Sequence, residues 1–276
     1  MHQTPPILVI GATGKVGSRV VTRLQALGLP VRAASRRTSP RFDWQDQSSW
    51  LPALAGVKTA FVSYVPDLAA PESPETIRAL AYAAIAAGVT RVVLLSGRGE
   101  SNARRCEQIM LASALEVTVV RASWFNQNFS EGMLLPAVLS GLVALPAGDR
   151  REPFIDVDDV ADVATAALVD GHHAGEIYEV TGPRLLSFAE ASAAITAAAG
   201  RPVGYAPVTL EQFHTALLPQ IGQAQADLLT HLCAEVFDGR NESLADGVQR
   251  ALGRPPRDFA DYCAAQAATG VWGQPI

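Results

Sequence analysis

Lysine is almost missing from this chain. It stands only at Lys15 and Lys58 among 276 residues, so nearly all the basic charge is arginine. Four residues before Lys15 is Gly11, and four before Lys58 is Leu54. That excludes a tyrosine whose pKa is lowered by a lysine one helical turn on, the proton relay of Tyr-x-x-x-Lys reductases. Arginine does not replace the lysine there, because it is larger and stays charged.

Cysteine is scarce as well. Cys106, Cys233 and Cys263 are widely spaced and form no paired motif, which predicts reduced thiols in a cytoplasmic protein rather than a disulfide frame or a zinc site. No apolar run is long enough to span a bilayer, and "MHQTPP" has no basic segment ahead of an apolar one, so neither membrane insertion nor a signal peptide is expected. The chain lacks a basic excess: its net charge is -5, which argues against direct nucleic-acid binding. Hydrophobic residues reach 49% against 18% charged, enough to build a sizeable core and to exclude disorder.

What is present alternates strand with helix. "PILVI" reads as a buried strand, "GKVGSRVVTRLQALG" as an amphipathic helix and "PVRAAS" as a second strand. "RFDW" reads as a short third strand. "TAFVSYV", "TRVVLLS" and "EVTVVRAS" are further strands, separated by the helices "SPETIRALAYAAIAAG" and "SNARRCEQIMLASA". This rhythm predicts an α/β fold: a Rossmann-like, doubly wound parallel sheet. After Phe125 the rhythm breaks. The segment at about 136–153 reads as a loop-rich excursion, "DVDDVADVATAALVDG" as a helix and "EIYEVTG" as a strand returning to the sheet. Residues 1–182 are therefore assigned to the dinucleotide-binding domain, and 183–276 to a smaller, mostly helical lobe capping the substrate.

"GATGKVG" lies between the first strand and first helix, with glycines at 11, 14 and 17. In that context Gly11, Thr13, Gly14, Lys15, Val16 and Gly17 predict a cradle for a pyrophosphate at a helix N-terminus. Where NAD-preferring folds place a carboxylate, this chain has Ser35 and Arg36, so NADPH is expected over NADH. The strand ends at Ser63, Ser96 and Gly97 would complete the cofactor site. Arg98, Trp124, Phe125 and Asn126 would line the substrate pocket, with Ser96, Tyr64 or water as proton donor. The acidic run "FIDVDDVAD" reads as a helix start, and no metal is expected.

Taken together, "GATGKVG", "ASRR", "FDW", "VVLLSGRGE", "VVRASWFNQNFSEG", "LPAGDRREPFIDVDDVADVA" and "YEVTGPRLLSFAEA" resemble the NmrA-like, atypical branch of the short-chain dehydrogenase/reductase superfamily. The nearest subgroup holds ergot-alkaloid reductases such as festuclavine and agroclavine dehydrogenases. The resemblance spans nearly the whole chain. It implies NADP(H) binding, with Gly11, Thr13, Gly14, Lys15 and Gly17 at the phosphates and Arg36 at the 2′-phosphate. Many relatives keep a lysine four residues before a glutamate early in the helix after "VVLLS"; here that glutamate is Glu107 and the position holds Ala103. The leading expectation is an NADPH-dependent reductase of an activated acceptor, a quinone, enone, iminium or carbonyl, working as a monomer or homodimer. The alternative is a non-catalytic redox sensor that binds NADP(H) and a protein partner.

Overall fold

The structure is a computed structural model that describes residues 4–273, so the first three residues of the "MHQTPP" start lie outside it. Its centre is a six-stranded parallel sheet. The strands are β1 (Ile7–Ile10), β2 (Val31–Ala34), β3 (Thr59–Val62), β4 (Arg91–Gly97), β5 (Glu116–Ala122) and, later in the chain, β8 (Ile177–Val180). Their spatial order is β2-β1-β3-β4-β5-β8. The sequence therefore reverses direction at the β1/β3 junction, which is where such sheets open a crevice beyond their strand ends.

Strand residues alternate between two apolar layers, as a period of two requires. Val9, Phe61, Val93 and Val120 face one side and pack on α1 (Lys15–Ala26) and α7 (Val157–Val169). Leu8, Val62, Leu94 and Val119 face the other. There they meet α2 (Trp50–Leu54), α3 (Ser73–Ala86) and α4 (Ser101–Leu111) through Trp50, Ile77 and Met110.

The second lobe has its own core. It is built from α5 (Asn128–Glu131), α6 (Leu135–Ser140), β6 (Leu142–Leu145) and β7 (Arg151–Glu152), then β9 (Leu186–Ser187), α8 (Phe188–Ala199) and β10 (Gly204–Pro207). It ends with α9 (Leu210–Ile221), α10 (Gln223–Val236) and α12 (Phe259–Ala268). Phe129, Phe154, Phe188 and Phe259 meet edge-on or tilted at its centre, 5.1–6.3 Å apart. Capping boxes start two of these helices: Ser187 with Glu190, and Thr209 with Gln212.

Three expectations need correction. "RFDW" is not a strand: Asp43 makes only an isolated bridge to Asp46, while Phe42 and Trp44 turn inward onto Trp50. The excursion is not loop-rich. Pro136 starts α6, and β6 pairs in parallel with β10, some sixty residues further on. Nor does the tail stay in one lobe, because α11 (Gly247–Leu252) returns to pack on β8 and α7.

Candidate active site

The glycine turn after β1 is shaped by two close approaches. Gly11 sits at φ +79°, a left-handed conformation that costs glycine nothing. A β-carbon at position 17 would stand 2.2 Å from the Gly11 carbonyl oxygen, so α1 packs against the turn only because Gly17 has no side chain. Thr13 and Gly14 are exposed at the mouth of the turn, and Val16 is buried beneath it. The N-terminal amides of α1, without an acidic residue in its first turn, face outward there. Lys15 leans across the mouth and donates to Asn128 Oδ1 at 2.9 Å; burial lowers its pKa below the ordinary lysine value.

At the end of β2, Ser35 Oγ accepts from the Arg37 amide at 3.2 Å and Thr38 Oγ1 donates to the Ser35 carbonyl at 3.0 Å. The turn is thus held from within. The guanidinium groups of Arg36 and Arg37 are exposed and donate no hydrogen bond among the described residues. Beyond the ends of β3, β4 and β5 lies a cavity of about 370 Å³. Ser63 and Tyr64 line it from the β3 end, Ser96, Gly97 and Arg98 from β4, and Trp124 and Phe125 from β5. Met133, Leu229 and Leu232 close it from the second lobe, the last two one turn apart on α10.

A chain of buried ion pairs runs behind the cavity floor. Ser96 Oγ donates to Glu107 Oε1 at 2.6 Å. Arg121 grips both oxygens of Glu107, from Nε at 2.9 Å and Nη2 at 2.5 Å. That hydrogen-bonded pairing raises Arg121's pKa further. Arg121 also reaches Glu179, which accepts from Arg98 Nε at 2.6 Å. Burial works to raise the Glu179 carboxyl, but Arg98 and Arg121 outweigh it and hold it low. Arg98 Nη1 donates to the carbonyls of Asn241 and Ser243, at 2.7 and 2.9 Å, and Nη2 to Ser243 Oγ at 2.8 Å. The Asp238–Asn241 turn is docked by the same contacts: Arg240 donates to the Gly99 carbonyl, and a β-carbon at Gly99 would strike the Asn241 amide at 2.6 Å.

The surroundings of four of the expected pocket and proton-donor residues are specific, and one of the four, Asn126, lies off the cavity. Arg98 stands in the wall, with four of its five N–H donors committed to Glu179 and the C-terminal turn. Asn126 does not line the cavity; it is wholly buried behind it, its backbone amide bound to the Ile155 carbonyl. Tyr64 packs its ring on Trp44 at 4.8 Å, and burial raises its pKa above the ordinary tyrosine value. The Ser96 proton is engaged by Glu107. The acidic run does start a helix, with Asp156 as the cap, accepting from the Asp158 amide at 2.8 Å. Asp158 and Asp162 pair with Arg23, and wholly buried Asp159 takes Arg254 and Arg257. Among the described residues no cluster suits a metal ion, and no helix is long and apolar enough to cross a membrane.

Spacing gave no hint of two further residues on the same cavity, Asp67 and Glu100. They lie in separate loops, after β3 and after β4, and only the folded sheet brings them together.

The chain is 34% identical to an NAD(P)H azoreductase of Xenophilus azovorans, over 95% of this chain and 98% of that one. It is 32% identical to a (4-alkanoyl-5-oxo-2,5-dihydrofuran-3-yl)methyl phosphate reductase of Streptomyces griseus, over 95% and 98%. Agroclavine dehydrogenase of Claviceps fusiformis is 28% identical, over 93% and 95%. No family model matches. Among solved structures, NADPH-dependent quinone oxidoreductase QOR2 of Escherichia coli with NADPH superposes with a TM-score of 0.80 at 22% identity, covering 94% of this chain and 99% of that one. Triphenylmethane reductase of Citrobacter sp. with NADP(H) gives 0.78 at 19%, over 95% and 99%. NmrA, a negative transcriptional regulator, with NAD gives 0.72 at 18%, over 97% and 98%. At these identities the three structures speak for the fold.

Proposed function

The chain belongs to the NmrA-like, atypical branch of the short-chain dehydrogenase/reductase superfamily, and we propose that it is an NADPH-dependent reductase of small, conjugated, electron-poor acceptors: quinones, azo compounds, enones or iminium ions. That it is an NAD(P)H-dependent reductase follows from its relatives. The choice of acceptor and of NADPH is our reading.

The observation that carries it is the cavity. It is open, bounded by Leu95, Trp124, Phe125, Leu229 and Leu232, and reached by no lysine-activated tyrosine. An apolar pocket suits a flat conjugated molecule. A ketone that relies on a lysine-activated tyrosine is poorly served, whereas an acceptor that is already electrophilic can be reduced without one once it is held in position in a dry site.

The residues present fit a phosphorylated dinucleotide. Gly11 and Gly17 form a turn that side chains would fill, Gly14 and the first amides of α1 would hold the phosphates, and Ser63, Ser96 and Gly97 edge the cavity beyond. Exposed Arg36, with Ser35 beside it, suits the 2′-phosphate, since a guanidinium forms charge-assisted, two-pronged contacts there. When bound, the reduced nicotinamide supplies hydride. The protein holds the acceptor against the floor, and Leu229 and Leu232 of α10 exclude water. The test is NADPH consumption by the purified protein across quinone, azo, enone and iminium acceptors. Steady turnover with one class is expected; silence with all, NADPH binding retained, overturns the reading.

A further inference from the structure

Glu100 is the residue before α4, a position where a side chain normally caps the helix, yet it makes no capping bond. Glu235 of α10 does so instead, its Oε1 accepting from the Ser101 amide at 3.0 Å and from the Ser101 hydroxyl. Glu100 is released to turn back over the end of β4. Its carboxyl lies where a side chain of residue 97 would stand: a β-carbon on Gly97 would be 1.9 Å from Oε1. The residue is 8% exposed, and its Oε2 is buried with no hydrogen-bond partner among the described residues. Beside it on the cavity wall stands the carboxyl of Asp67, whose Oδ1 accepts from the Ala69 amide at 2.8 Å.

Two carboxyls in contact do not both ionise at neutral pH. Burial raises the Glu100 pKa well above the ordinary glutamate value, and Asp67, Glu235 and Glu107 add to it. Burial raises Asp67 too. The charges facing the pair are acidic: Glu235 from α10, which also binds Arg240, and Glu107 from α4, which is spent on Arg121. Lys15, on the same cavity, is held by Asn128.

We propose that Asp67 and Glu100 share one proton and deliver it from the cavity wall to the reduced acceptor, as the catalytic acid in place of a tyrosine–lysine pair. This rests on the reductase reading. The acceptor takes two electrons and a hydrogen nucleus as hydride from the reduced nicotinamide. The heteroatom that receives the electron pair takes the proton from Asp67–Glu100, forming an O–H or N–H bond as the carboxyl O–H breaks. The pair, left with two negative charges, regains its proton from water at the cavity mouth. Because the two protons of the pair titrate jointly, neither residue alone owns the working pKa.

Two measurements test this. The first needs no turnover: infrared spectra of the unliganded protein at neutral pH, in an E152Q background because Glu152 holds a proton of its own. The carbonyl stretch of a protonated carboxyl is expected there, and to vanish in E100Q, where the neutral amide leaves Asp67 ionised. The second compares two acceptors, a quinone, which needs hydride and a proton, and a triarylmethane cation, which needs hydride alone. E100Q preserves the net charge of the pair, so cation binding is not a confounder. The quinone-to-cation rate ratio is expected to fall roughly a hundredfold in E100Q, with D67N as a second variant falling in the same direction. An unchanged band, or an unchanged ratio in both variants, overturns the proposal. Failure of the wild-type protein to oxidise NADPH with either acceptor overturns the reductase reading instead, and leaves the infrared result standing.

Discussion

Arg121 Nη2 lies 2.5 Å from Glu107 Oε2, with Nε bound to the other carboxylate oxygen, and both side chains are buried under the cavity floor. Removing one partner strands a charge where water cannot reach it. R121M is expected to cost about 3–5 kcal/mol of stability, read as a lower urea midpoint. A double R121M/E107M variant should recover much of that loss, because replacing both charges removes the desolvation cost as well.

Arg36 sets the coenzyme preference if it meets the 2′-phosphate. R36E is expected to raise KM for NADPH roughly tenfold to a hundredfold, the scale of a charged hydrogen bond, and to leave KM for NADH nearly unchanged. Steady-state kinetics with both coenzymes decides; parallel changes would place the arginine elsewhere.

The contact between Gly17 and Gly11 makes G17A a severe change for one methyl group. The new carbon has no room unless α1 moves away from β1. A loss of about 1–3 kcal/mol is expected, together with weaker NADPH binding by calorimetry.

Glu152 gives the protein a pH-dependent stability of definite sign. Burial pushes its carboxyl from 4.5 up to about 8. Below about pH 4.5 folded and unfolded chains both carry the proton, and its stabilising contribution is fully present. As pH rises the unfolded chain releases it first, so stability is lost until about 8, where the folded chain releases it too. Asp67, Glu100 and Asp156 slope the same way, while Asp162 and Glu179, held low by arginines, act in the opposite sense at more acid pH. E152Q should flatten the curve of urea midpoint against pH through this window.

The thiols should be inert. Burial pushes Cys106 up to about 11 and Cys233 and Cys263 to about 12. A thiol reagent at neutral pH is expected to label none of the three in the folded protein and all three in denaturant.

The central sheet was legible because its signals are local. Alternating apolar residues, glycine at the first turn and helices of regular length all lie within windows of a dozen residues. "RFDW" misled because the same aromatic composition that suits a strand also suits a packed turn, and Phe42 and Trp44 are needed against Trp50. The pairing of β6 with β10 left no trace, since neither segment indicates a partner so far along the chain. Arg98 follows β4 and Asn126 lies four residues beyond β5, but sequence does not reveal which way a side chain leaves the backbone or what already occupies it. The Asp67–Glu100 contact was out of reach for a related reason: thirty-three positions separate them, and neither carries a motif.

The last stretch of chain does something the two-lobe description hides. After building much of the second lobe it comes back as α11, seats Gly247 against the backbone of Glu179, where a β-carbon would be 2.3 Å from the carbonyl oxygen, and then leaves again for α12. The lobes are stitched rather than hinged. No single cut frees an intact cap, so new acceptors are reached by exchanging individual wall residues such as Met133, Leu229 or Leu232, and not by swapping one cap for another.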